Sequence, residues 1–436
     1  MSLQPSVSIF WFRRDLRLHD NKGLFNALQQ SPAVMPIFIF DTDILSQLPA
    51  PNDARITFIY ECLQSIQQCC IEYNSSLQVY LGKPIEIFRN LCSHYTISSV
   101  YVNKDYEPYG ITRDTEIAEF LKTQNITFNS YKDHVIFEHN EVVKKDGTPY
   151  TIYTPYSAAW KQKLSNQTLT QYPSEDMLSH LHKTKPTEIP TLESIGFTMN
   201  STCSATPIIP TNIIQQYHAT RDIPGIPGTT RLGIHLRFGT VSIRSMVHIA
   251  LQQNQTWLNE LIWREFFISI LYHFPRVIHL NFKPQYDSIT WRNNEYEFEQ
   301  WCTGNTGYPI VDAGMRELNT TGFMHNRVRM ITASFLTKHL LIDWQWGEAY
   351  FAQKLLDYEL SSNNGNWQWA AGTGCDAAPY FRIFNPYEQT KRFDPQHTYI
   401  QTWVPEYTEL TYAKPIVEHV FARKRALEVY GAALKK

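Results

Sequence analysis

The sequence predicts an α/β domain in its first third and an all-α domain in its second half, joined by a long connector. Three observations carry that expectation. Short β-branched or aromatic runs alternate with stretches of helical period through the first third. A stretch rich in Pro, Ser and Thr then breaks every period. Beyond it, strand signals fade and long helical patterns dominate.

Strands are expected at Val7–Phe12, Val34–Phe40, Leu77–Leu81, Ser98–Val102 and Thr127–Tyr131, with helices over Ile56–Tyr73 and Ile111–Lys122 between them. Strands alternating with helices imply a doubly wound, Rossmann-like parallel sheet. Gly23, Gly82 and Gly110 stand alone, and no GxGxxG follows the first strand. A dinucleotide at the first turn is therefore not expected. Between Asn166 and Pro210 five prolines (Pro173, Pro186, Pro190, Pro207, Pro210) mark the connector. Helices are expected at Val241–Gln253, Trp257–Tyr272, Ile310–Asn319, Arg327–Leu341 and Ile416–Tyr430. The expected boundaries are 1–135 for the α/β domain, 136–210 for the connector and 211–436 for the helical domain.

A chain of 436 residues is long enough for two cores. Charged residues make up only 18% and aromatics 14%, with 11 Trp, 25 Tyr and 24 Phe, which suits packed interiors and pockets for planar ligands. The net charge of -2 excludes a globally basic nucleic-acid binder and leaves room for a local basic groove. Cys62, Cys69, Cys70, Cys92, Cys203, Cys302 and Cys375 form no CxxC pair and no zinc or iron–sulfur spacing, so no metal site is expected. Their odd count implies a reducing compartment. With no signal peptide at the N-terminus and no run long enough to span a membrane, the protein is expected to be cytoplasmic.

Four constellations could carry chemistry. In Asn363–Pro386, Asn363 and Trp367 are four apart and share a helix face, while Trp369 points elsewhere. The segment is either a buried aromatic cluster or a site that stacks planar groups. In GTTRLG, Gly228–Gly233, two glycines bracket two hydroxyls and an arginine before a helix, which suits a phosphate or a plain helix cap. On Trp257–Phe267, Glu260, Trp263 and Arg264 fall at i, i+3 and i+4. The carboxylate either meets a heterocycle or pairs with Arg264 along the helix. In Thr306–Met330, Arg327 and Arg329 point apart; one suits a carboxylate inside and the other a phosphate outside, or both are solvated.

Taken in order, SIFWFRRDLRLHDN, GTTRLG, NELIWREF, TGYPIVDAGMREL, MHNRVRM and NNGNWQWAAGTGCDAAPYFRIFNP resemble the photolyase/cryptochrome family of flavoproteins over essentially the whole chain. The likeness is greatest to class I members that split cyclobutane pyrimidine dimers. It implies that the helical domain binds FAD. Tyr217, Thr229, Thr230, Arg231, Leu232 and Gly233 would then line its phosphates and ribityl chain, with Gly233 where many relatives have serine. Trp257, Arg264, Asn326, Arg329, Asp357 and Glu359 would complete the pocket. Arg329 and Asp357 would pair beside the ring system, and Asn363 would face flavin N5.

The same resemblance puts Glu260, as an acid in an apolar pocket, against a pyrimidine carbonyl. Trp263 and Trp369 would sandwich the flipped lesion, with Asn326 and Met330 as further contacts; photolyases are among the enzymes grouped as base flippers. Arg221, Arg327 and Arg382 match positions that contact DNA phosphate. Trp291, Trp344 and Trp367 match an electron relay from the surface to the flavin, whereas Trp346 is a spare tryptophan.

The implied partner is UV-damaged DNA, the implied reaction light-driven ring opening by reduced FAD, and the implied form a monomer. Folate-binding relatives carry an acid near the end of the motif that reads DYEPYGITRD here, where Gly110 stands. A deazaflavin or second flavin between the domains is therefore favoured over folate as an antenna. The alternatives are a short-tailed cryptochrome photoreceptor without repair, and a (6-4) photoproduct enzyme. The second is disfavoured because Asn326 and Met330 stand where such enzymes need histidines.

Overall fold

The computed structural model describes residues 6–48, 50–200 and 204–435, so Cys203 lies outside the described residues. The other six cysteines are free thiols. The chain forms two compact units. The first runs to Glu141 and adds Lys163–Ile208 and Leu232–Ile249. The second comprises Val142–Gln162, Ile209–Arg231 and everything from Ala250 onward.

The first unit is built on a parallel sheet of order β3-β2-β1-β4-β5, with β1 Val7–Phe12, β2 Val34–Asp41, β3 Gln78–Gly82, β4 Ile97–Asn103 and β5 Thr127–Tyr131. β1 and β2 are buried along their whole length, as continuous apolar runs in the middle of a covered parallel sheet must be. Pro36 sits inside β2, where a missing N–H would normally break a ladder. It is tolerated because β3 begins pairing only at Ile37, while Val34 bridges instead to Leu181. The helix Ala54–Glu72 begins two residues before the expected one and ends one residue short of it, and Pro108–Thr123 extends the expected one at both ends.

The expected connector is not free-standing. The part after Lys163 belongs to the first unit: Asn21 N–H donates to Ser174 Oγ (3.1 Å), and His182 N–H to the Val34 carbonyl (2.8 Å). The segment lacks helical period, so its backbone is satisfied by its neighbours while Leu178, Leu181, Leu192, Ile195 and Phe197 are buried. The part from Val142 to Gln162 belongs to the second unit, where the helix Tyr153–Ser165 begins.

A buried charge network ties the distant pieces of the first unit together. Arg17 meets Asp133 at 2.5 Å, and Arg244 meets Asp133 at 2.7 Å and Asp20 at 3.0 Å. Burial alone would raise the Asp133 carboxyl, but the Arg17 and Arg244 guanidiniums outweigh it and hold that carboxyl well below the usual carboxylate range. Asp133→Asn leaves both cations short of a partner and is expected to cost about 3 kcal/mol at pH 7. A depressed acid stabilises the fold above its unfolded pKa and loses that contribution as pH falls. Urea midpoints of wild type and variant should therefore converge on going from pH 7 to below pH ~4.

The second unit is helical. Its core gathers Trp301, Tyr308, Trp344, Phe351 and Trp367. The expected helix Arg327–Leu341 is an α-helix only over Asn326–Ser334 and continues as a π-turn over Phe335–Leu340. Within that wider turn Lys338 is buried, and its Nζ donates to the Ala371 carbonyl (2.6 Å) at the end of another helix, Leu360–Ala371. Among the described residues, no helix is long and apolar enough to cross a membrane.

Candidate active site

The helix Leu360–Ala371 reads LSSNNGNWQWAA, a poor helix former by propensity. Tertiary bonds hold it. Asn364 Nδ2 (3.0 Å) and Gln368 Nε2 (2.9 Å) both donate to the Val277 carbonyl, Gly372 closes its C-terminus in the left-handed region, and Lys338 caps it. Gly365 has no side chain for a reason: a Cβ there would stand 2.1 Å from the Phe267 ring. This close approach lays Leu360–Ala371 against the helix Gln255–His273, which carries Glu260, Trp263 and Arg264.

One cavity of about 580 Å³ opens on this helix. Phe351, Leu355, Trp367 and Ala370 give it apolar walls, and Asn326, Arg329, Asp357 and Asn363 converge on it. Arg329 Nη2 meets Asp357 at 2.8 Å, and Arg264 Nη2 meets Glu359 at 2.9 Å. The Asn363 amide donates to Glu348, at 2.9 Å to Oε1 and 3.0 Å to the carbonyl. Burial pushes the Glu348 carboxyl up, and the Asn363 bond pulls it back. Trp367 is 2% exposed and packs on Phe351 (4.9 Å) and Trp301 (6.0 Å). A Cβ at Gly347 would stand 2.1 Å from the Trp367 ring, so glycine there lets the indole lie against the helix that begins at Trp344.

A second cavity, about 840 Å³, is lined by Arg221, Glu260, Trp263, Arg264 and Phe267. Asn326, Met330, Ser362, Asn366 and Trp369 line both cavities, so the two share a wall. Glu260 pairs with Arg221 across helices rather than with Arg264 along its own. Burial raises the Glu260 carboxyl and Arg221 opposes it.

The structure brings together most of the expected site residues and leaves others apart. Tyr217, Thr229, Thr230 and Arg231 line neither cavity. Arg231 is exposed over the Phe323 ring, and Leu232 and Gly233 open a short helix counted with the first unit. Trp257 is buried beside its Asn254 cap and also lines neither. Of the three arginines expected at phosphate, Arg221 engages Glu260, and Arg327 engages Asp222 (2.8 Å) over the Phe393 ring, because an acid lies within reach of each. Arg382 is exposed over Phe384. Trp344 and Trp367 are buried in one core cluster against which the half-buried Trp291 packs. Sequence reasoning missed Tyr153, Glu348, Phe351 and the two small contacts Gly347 and Gly365. Only the glycines, isolated inside helices, carried a signal of close packing.

The first unit holds its own cavity of about 820 Å³, lined by Trp11, Arg13, Phe38, Asp41, Tyr109 and Gly110 among others. The Arg13 and Arg113 guanidiniums both lie over the Trp11 ring, at 5.0 Å and 4.9 Å from its centroid, and its buried indole N–H has no partner. A Cβ at Gly110 would stand 2.5 Å from Asp105 Cγ, so no acidic side chain fits there.

Such a fold and site define a protein with an aromatic-walled cavity beside a second, wider one. Residues 8–175 match the family model described as DNA photolyase, and residues 257–411 that described as the FAD binding domain of DNA photolyase. The chain belongs to the DNA photolyase family. It is 36% identical to a deoxyribodipyrimidine photo-lyase of Synechococcus sp., over 97% of this chain and 96% of that one. A class III photolyase of Agrobacterium tumefaciens superposes with a TM-score of 0.85 at 31% identity, over 100% of this chain and 99% of that one. An archaeal photolyase of Sulfolobus tokodaii, solved with two FAD molecules, superposes with a TM-score of 0.79 at 31% identity, over 98% and 100% of the respective chains.

Proposed function

We propose that this protein repairs UV-damaged DNA by light-dependent splitting of cyclobutane pyrimidine dimers, with FAD held in the cavity lined by Arg329, Asp357 and Asn363. The observation that carries the reading is the shared wall. A ring system in one cavity and a base-sized guest in the other would be separated by side chains such as Met330 and Trp369, which line both. The first cavity fits a flavin ring chemically, with apolar faces for the plane and an amide and an ion pair at its rim. The names of the relatives support the same substrate.

The chemistry that reduced FAD supplies when bound is light-driven one-electron donation, the electron returning once the cyclobutane bonds have broken. The protein's part is to bind, orient and exclude water. Trp263 and Trp369 offer aromatic faces to a base that is already poorly stacked in the duplex. Burial raises the Glu260 carboxyl and Arg221 opposes it; where the proton is held, the acid can donate to a pyrimidine carbonyl as charge develops there. The Arg329–Asp357 pair supplies a fixed dipole, and Asn363, held by Glu348, presents an oriented amide. Trp291, Trp344 and Trp367 supply oxidisable rings leading inward.

The cavity of the α/β unit is read as the seat of a second chromophore. A deazaflavin or flavin is favoured over folate because Asp105 fills the space that an acid at position 110 would need. The test is direct. Purified protein with reduced flavin, mixed with dimer-containing DNA, should restore thymine absorbance under blue light and not in the dark. Bound reduced FAD without light-dependent recovery would instead favour a photoreceptor.

A further inference from the structure

The Trp263 indole is not held by its own helix alone. The ring of Tyr153, the first residue of the helix Tyr153–Ser165, stacks on it with centroids 3.7 Å apart and planes 5° from parallel. Tyr153 is itself anchored at both ends. Its backbone N–H donates to Asp376 Oδ2 (3.0 Å), and its hydroxyl to the Asn259 carbonyl (2.9 Å), one helical turn before Trp263. Phe266 closes on the edges of both rings, at 6.0 Å from Tyr153 and 5.6 Å from Trp263. Tyr153 is absent from the lining of the cavity that Trp263 walls.

We propose that Tyr153 is a positioning residue for lesion recognition: stacked behind Trp263, it fixes the indole so that its other face is presented to a flipped pyrimidine dimer. The inference rests on the reading of the Glu260–Trp263–Trp369 cavity as the lesion site. An unbacked indole would have to give up rotamer freedom when the guest arrives, and the guest would lose the affinity spent on that ordering. Tyr153 removes this cost in advance. It lies in the segment that the sequence marks as connector, so lesion recognition draws on a residue outside the expected helical domain 211–436.

The experiment measures binding of dimer-containing and undamaged oligonucleotides in the dark, with flavin in place, for Tyr153→Leu, Tyr153→His, Tyr153→Phe, Trp263→Ala and the Tyr153→Leu/Trp263→Ala double variant. Tyr153→Leu should weaken dimer binding about tenfold, the upper range for an aromatic pair, with undamaged-DNA binding and flavin absorbance unchanged. Tyr153→Phe keeps the ring face and should stay within about twofold of wild type. Tyr153→His, a smaller ring, should fall between them and serves if the leucine variant does not fold. In the Trp263→Ala background the leucine change should add nothing, since its only route is through the indole. Wild-type dimer affinity in Tyr153→Leu, an additive loss in the double variant, or equal losses on undamaged DNA overturns the proposal. If Trp263→Ala itself binds dimers normally, the lesion-site reading falls with it.

Discussion

Trp367→Phe is expected to slow light-driven reduction of bound flavin about a hundredfold, while protein reduced chemically beforehand still repairs dimers at close to the wild-type rate. Trp367 lines the first cavity and is nearly sealed from solvent, with Phe351, Trp301 and the backbone at Gly347 against its ring. Phenylalanine keeps an aromatic plane in that slot, so the packing loss is about 1–3 kcal/mol and leaves the fold intact. A phenyl ring is much harder to oxidise than an indole. Photoreduction should therefore drop on the order of a hundredfold, equivalent to about 2.7 kcal/mol of barrier. Flavin absorbance under continuous blue light with an external reductant reads the first outcome, and single-turnover repair reads the second. Unchanged photoreduction would refute the relay. Trp344 makes a less clean test, because its indole N–H donates to Asn281 Oδ1 (2.9 Å) and phenylalanine would orphan that acceptor.

Glu260→Ala should lower repair efficiency by roughly ten- to a hundredfold with flavin content unchanged. Glu260 lines the second cavity and not the first, so on the proposed reading its loss would remove the donor to the pyrimidine without opening the first cavity. Arg221 loses its partner but remains half-exposed, and water takes over. The pH dependence separates donor from bystander. Burial raises the folded pKa of Glu260, so the protonated donor is lost as pH climbs through that raised value. Wild-type repair should decline along that rise, and Glu260→Gln, neutral at every pH, should stay flat. Stability follows the same sign: the fold favours the protonated acid and loses that preference as pH rises from the usual carboxylate value to the raised one. A declining profile retained in Glu260→Gln would assign the titration to another group.

The sheet was legible because its central strands are unbroken apolar runs, and such runs have one stable home, between two covering layers. The Pro/Ser/Thr-rich stretch was legible as non-helical but not as part of a unit, since its partners (Val34, Asn21) lie far away in sequence. At the site, spacing put Asn363 and Trp367 on one helix, and both line the first cavity. It offered Arg264 as the partner of Glu260, whereas the fold supplies Arg221 and gives Arg264 to Glu359. Which side chains meet across helices is set by contacts like Gly365 on Phe267, and no periodicity records those.

The charge network around Asp133 has a consequence for how the chain comes into being. Arg17 and Asp20 emerge early in synthesis, yet Arg244, which neutralises Asp20 and half of Asp133, follows only after more than half of the chain. A chain cut after residue 210 would keep the Arg17–Asp133 pair but lack Arg244, the second cation on Asp133 and the partner of Asp20, so the N-terminal unit draws its charge balance from a segment encoded after part of its companion.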